Sequence, residues 1–68
     1  MIYKAIPEQK PMAKQFATAQ DALKYRENNG GWVFLPDDNG ALWFDADIFT
    51  ASQVFTHPLT RRRNGRLL

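Results

Sequence analysis

Residues 31 to 47, GWVFLPDDNGALWFDAD, constrain the fold of this chain more than any other stretch. Two apolar runs, Trp32 to Leu35 and Ala41 to Phe44, flank Asp38-Asn39-Gly40. Asn and Gly tolerate the positive φ that tight turns require, so the segment reads as a β-hairpin. It holds four of the nine aromatic residues, which makes it the place where a core must form. A type I turn over Asp38 and Asn39, with Gly40 as a positive-φ bulge residue, sets Phe34 opposite Phe44 and Leu35 opposite Trp43. Trp32, Phe34, Leu42 and Phe44 then share an aromatic face, and Val33, Leu35, Trp43 and Asp45 share the other. In this register Trp43 lies away from the main core, beside a carboxylate, and is more exposed than Trp32. A loop one residue longer exchanges the faces of the second strand.

The remaining elements are arranged around that hairpin. Ile2 to Ile6 alternates as a strand with one buried face does, and Pro7 ends it. Pro7 to Pro11 reads as an irregular connection, and Met12, Lys14 and Phe16 alternate again as a short extended piece. Thr18 is a favoured N-cap with Asp21 at the third helical position, and Asn28-Asn29-Gly30-Gly31 supplies the stop, so a helix of about ten residues lies between. Its apolar stripe, Ala19, Ala22 and Leu23 with Arg26 at the edge, is narrow, so it must lie against the sheet. Thr50-Ala51-Ser52-Gln53 matches a capping box, with Phe49 and Val54 placed as a hydrophobic staple. A short helix over about 51 to 56 follows, stopped ahead of Pro58. A last strand is the alternative there, because Phe49, Ala51, Gln53 and Phe55 also alternate. The final stretch, LTRRRNGRLL, reads as a loose tail.

At 68 residues the chain is one domain, near the size at which a single apolar core barely offsets the entropy of ordering. A partner, or a second copy in a homodimer, can supply the shortfall. There is no cysteine, so no disulfide framework and no thiolate metal site contribute. The N-terminus lacks the apolar region of a signal peptide, and no apolar run is long enough to span a bilayer. The expectation is a cytoplasmic protein with no membrane partner. The net charge of +2 conceals blocks. Residues 1 to 30 carry five Lys or Arg against three acids, residues 31 to 60 carry four Asp and no Lys or Arg, and residues 61 to 68 carry four Arg and no acid. Blocks of one sign set up local fields that steer or repel partners.

Each constellation that could carry chemistry has an ordinary counterpart. WFDADIFT is similar to the strand-end Asp-x-Asp of the haloacid dehalogenase-like phosphotransferases over eight residues. The Thr falls one position late, and the chain leaves no room for the Mg²⁺-binding and Lys motifs on a doubly wound sheet. Asp45 and Asp47 are better read as a solvated strand end and the entry to a capped helix. Asp37, Asp38 and Asn39 lack the twelve-residue spacing and closing Glu of a calcium loop, and Asx residues favour turns unaided. His57 is the only histidine, which rules out a His/Cys pair or a multi-His metal site within one chain. Ser52 lacks the context of a nucleophile elbow. Arg61, Arg62, Arg63 and Arg66 remain as the strongest functional signal, because guanidinium groups contact phosphates bidentately and basic tails follow nucleic-acid backbones. The same arginines can instead fold onto the four aspartates of the middle third.

The sequence thus predicts an α+β domain over residues 1–60. A small, mainly antiparallel sheet is built on the hairpin, one principal helix packs across it, and a short second helix follows. A flexible basic tail over 61–68 follows, and the domain is expected to melt normally without it. The expected function is that of a non-catalytic binding protein without cofactor, an accessory or inhibitory regulator of the kind phages and plasmids carry. It occupies a protein partner through Trp43, Val33, Leu35 and Asp45. The alternative is a nucleic-acid-binding protein using Arg61, Arg62, Arg63 and Arg66.

Overall fold

A computed structural model gives the architecture, and the structure describes residues 11–68. The strand expected over Ile2 to Ile6 lies outside those residues. In chain order the elements are β1 (Ala13–Phe16), α1 (Ala19–Asn29), β2 (Trp32–Pro36), β3 (Ala41–Phe44), α2 (Ala51–Thr56), α3 (Pro58–Arg61) and β4 (Gly65–Leu67). The strands form one antiparallel sheet in the order β1-β3-β2-β4, so the hairpin β2-β3 is its centre. This is the small α+β fold expected, with one longer helix.

Local chemistry explains the helix ends. Thr18 is extended and its hydroxyl accepts the N–H of Asp21, while Gly30, at φ 70°, sends its own N–H back to the Arg26 carbonyl at 2.7 Å. At α2 the expected capping box is complete: Thr50 Oγ1 accepts from Gln53 N, and Gln53 Oε1 accepts from Thr50 N at 2.9 Å. The third helix, α3, has no counterpart among the expected elements. Pro58 stops α2, but it also occupies the first position of α3, where its missing N–H costs nothing. His57 caps that turn by accepting Leu59 N on Nδ1 at 3.1 Å. The hydroxyl of Thr60, buried, donates back to the Val54 carbonyl and ties the two short helices together.

The sheet is covered on both faces. On one, α1 sets Ala22, with Leu23 and Tyr25 at its margin, against Val33, Ala41 and Trp43. On the other, Val54 and Phe49 cover Phe34, Leu42 and Phe44. This three-layer arrangement explains why β3 reads ALWF without a polar residue and is buried throughout.

Three expectations need correction. The hairpin pairs Trp32 with Phe44, Val33 with Trp43 and Phe34 with Leu42, two residues away from the expected register. Pro36 has no N–H to give to β3, and the N–H of Asp37 goes to Asn64 O at 2.6 Å, so the ladder opens early. A shift of two preserves the faces. Trp43, expected at the surface, is fully buried because α1 lies on its face of the sheet. In place of a flexible tail, Gly65–Leu67 forms the edge strand β4, held by pairing with β2 and by Leu67 packing beside Phe34.

The connection between α1 and β2 depends on glycine. Gly31 lies at φ 102°, and a Cβ there would come within 2.5 Å of both Phe44 O and Trp43 Nε1. A Cβ on Gly30 would meet nothing within 4 Å. Gly31→Ala is therefore expected to cost roughly 3 kcal/mol or more, through strain plus overlap. Gly30→Ala, with strain alone, should cost about 1 to 2 kcal/mol. Urea denaturation of the two variants checks the order.

Candidate functional site

The four residues expected to meet a protein partner lie largely inside. Trp43 and Val33 have no exposed surface, Leu35 is half-buried at the margin of the α1 core, and Asp45 is 5% exposed. The indole N–H of Trp43 donates to Gly30 O at 2.6 Å, and its ring meets Tyr25 edge-on at 4.8 Å. Asp45 is an organiser of its loop and not a solvated strand end. Its Oδ1 accepts Asp47 N at 2.9 Å, and its carbonyl accepts Phe49 N at 2.9 Å. This Asx turn directs the chain from β3 into α2.

The arginines are brought together on an ordered frame. Arg61 ends α3, Arg62 and Arg63 occupy the link, and Arg66 lies in β4 opposite Leu35. Arg61, Arg62 and Arg66 are exposed, and Arg63 is half-buried. Arg62, Arg63 and Asn64 face Asp37 and Asp38 across a shallow depression of about 180 Å³. Among the described residues no ion pair closes that gap. The result is a mixed-charge rim at one end of the sheet. Elsewhere, Lys14 Nζ sits 4.9 Å from the Tyr25 ring and 5.4 Å from that of Phe16, and both rings line another depression together with Asp21, Lys24 and Asn28.

Sequence reasoning missed three exposed apolar groups that lie on one segment. Ile48 is 48% exposed, Phe55 45% and Leu59 42%, all in the segment that covers the Phe34 and Phe44 face. The ring of Phe55 stands edge-on to Phe34 at 5.6 Å but stays half in solvent. Helical geometry could have indicated this. Neighbouring residues point about 100° apart, so burying Val54 turns Phe55 outward. Within this layer His57 is part of the packing, its ring 5.0 Å from Phe44 and 5.4 Å from Phe49.

Among the described residues no three acidic or imidazole side chains converge as a metal centre requires, and no helix is long and apolar enough to cross a membrane. Comparison of the chain with models of protein families, with curated proteins and with solved structures finds no match.

Two outcomes follow from these placements. With each tryptophan replaced in turn, iodide should quench Trp32 more strongly than Trp43, since Trp32 is half-buried and Trp43 sealed. Ending the chain at Thr60 removes β4 and uncovers Phe34, so it should lower unfolding free energy by about 2 to 4 kcal/mol, the loss of a part-buried Leu and a few ladder bonds. Thermal melts of the two lengths measure this.

Proposed function

We propose that this chain is a small non-catalytic binding protein, an accessory or inhibitory regulator that occupies a protein partner through the α2–α3 face and the adjoining arginines. The observation that carries the reading is the concentration of Ile48, Phe55 and Leu59, three of the five large exposed apolar groups among the described residues, on one segment. A protein interface combines an apolar centre with a polar rim, and aromatic residues and Arg are enriched in it. Phe55 and Leu59 supply the first and Arg61 to Arg63 the second. Aspartates facing the arginines favour a partner that carries both signs of charge, as a protein surface does.

Nucleic-acid binding is the second reading, and one observation favours it. Arg61, Arg62, Arg63 and Arg66 have no ion pair among the described residues and so are available to phosphate. Asp37 and Asp38 oppose it, because they share the depression with Arg62 and Arg63 and repel a polyanion.

Affinity capture from a source lysate separates the two. Capture of a protein by the wild type that survives nuclease and is lost on Phe55→Ser with Leu59→Ser is the expected result. Both positions are about half exposed, so the double variant should retain its fold, which circular dichroism checks. Capture that disappears with nuclease and is insensitive to the double substitution would transfer the function to the arginines and nucleic acid.

A further inference from the structure

Among the described residues the ladder leaves the outer edge of β4 without a neighbouring strand, and the chemistry of that edge is definite. Asp37 N donates to Asn64 O at 2.6 Å, and Leu68 N donates to Val33 O at 2.8 Å. Hydrogen-bonded pairs alternate along antiparallel strands, so Asn64, Arg66 and Leu68 turn their backbone groups toward β2. Gly65 and Leu67 turn theirs the other way, on the side where no described strand follows. Two N–H donors and two C=O acceptors therefore line the outer edge. Arg66 stands in this strand and Arg61, Arg62 and Arg63 in the segment before it, four cations against the two acids nearest, Asp37 and Asp38, of which Asp37 borders Gly65 and Arg66 on the β2 side.

We propose that this edge receives an extended, acidic segment of the protein partner, which adds as a fifth strand beside β4. The inference rests on the protein-partner reading and specifies how part of that partner is held. Backbone pairing provides the affinity of such strand addition, and alternate side chains provide its selectivity. Every second residue of the incoming strand faces the side of the sheet that carries Arg66, and the residues between face the side that carries Leu67. Acidic residues suit the first set and β-branched apolar residues the second.

Charge decides among the occupants. A second copy of the segment 61–68 would bring four arginines against four, and like charges on an edge are a recognised guard against self-pairing. A DNA backbone carries acceptors but no donors, so it can satisfy the N–H groups of Gly65 and Leu67 but not their carbonyls, and the RNA 2′-OH does not supply the alternating donors and acceptors of a strand. A peptide strand supplies both in the right alternation.

The test uses the full chain and the capped peptide Thr-Glu-Val-Glu-Val-Glu-Thr, followed by amide hydrogen exchange in NMR. At a peptide concentration about ten times its Kd, exchange at Gly65 and Leu67 should slow roughly tenfold, since binding must be released before those amides open. Binding should weaken with salt and on Arg62→Ser with Arg66→Ser, with the spectrum otherwise retained. It should be lost when the peptide is N-methylated at alternate residues on the β4 side. Unchanged exchange at Gly65 and Leu67, equal binding of the N-methylated peptide, or equal binding of the Lys-for-Glu peptide would each overturn the proposal. Protection of the same amides by oligothymidylate but not by the peptide would also overturn it, in favour of nucleic acid. Because the readout is local to β4, failure here leaves the Phe55 and Leu59 capture result standing, and failure of that capture leaves the peptide result readable.

Discussion

The seat of Trp43 is the constraint on which the other placements depend. Its indole is sealed between α1 and the sheet, and a buried N–H without an acceptor would cost on the order of 1 to 3 kcal/mol. The acceptor is Gly30 O, the carbonyl of the residue that ends α1. Gly31, immediately after it, has no Cβ and so lets the backbone pass against the indole and the Phe44 carbonyl. One contact thus fixes where the helix stops, where β2 starts and how far the helix stands from the sheet. Trp32 does the equivalent on the other side, donating to Phe49 O at 2.9 Å and holding the loop that leads into α2. Each tryptophan of the hairpin ties one helical layer to the sheet.

Much of this architecture was legible in the sequence because it rests on local signals. The Thr18 and Thr50 caps and the Gly30 stop involve partners within a few residues, and each stands where the sequence places it, while the hairpin forms from the two expected runs in a register two residues away. The errors came from relations that local patterns do not encode. Periodicity assigned Val33 and Trp43 to one face and Phe34 and Phe44 to the other, and did so correctly, but it could not say which face α1 would cover. A continuous apolar run is the mark of a strand buried on both sides, and Ala41 to Phe44 carried that mark. Alternation within that run assigns its two faces, and its lack of any polar residue marks both as covered. The edge strand was missed for another reason. Only Leu67 and Leu68 are apolar there, and Gly65 is needed because the backbones of Leu35 and Pro36 and the Phe34 ring occupy the space a Cβ would take. Pairing that depends on an absent side chain leaves little trace in a hydropathy pattern.

The candidate site was legible in part, for the same reasons. The arginine cluster is visible in any reading of charge, and the structure keeps it at the surface. The apolar half is not visible in that way, because the face that carries Val33, Leu35 and Trp43 would be an exposed patch only if nothing covered it, and α1 does. Asp45 serves instead to close the turn at Asp47 and to receive Phe49. The exposed groups are those the short helices leave over. Val54 and Thr60 face inward, which directs Phe55 and Leu59 outward, and that follows only once α3 is known to exist.

The ordering of β4 changes what the arginines can do. On a loose tail, four guanidinium groups would follow any polyanion, with affinity set by salt and little selectivity. On β4 and the turn before it they are held by the β2 ladder, by Leu67 in the core and by Arg26 Nη1 donating to Leu68 O at 3.2 Å. The backbone entropy of ordering that segment is then lost on folding, so less remains to be lost on binding. The field of the cluster also acquires a direction, with Asp37 and Asp38 fixed on one side of it. Fixed charges of both signs reject wrong partners by like-charge contact as effectively as they attract the right one. A segment that reads as a non-specific basic end in one dimension becomes, once paired to β2, a surface able to discriminate.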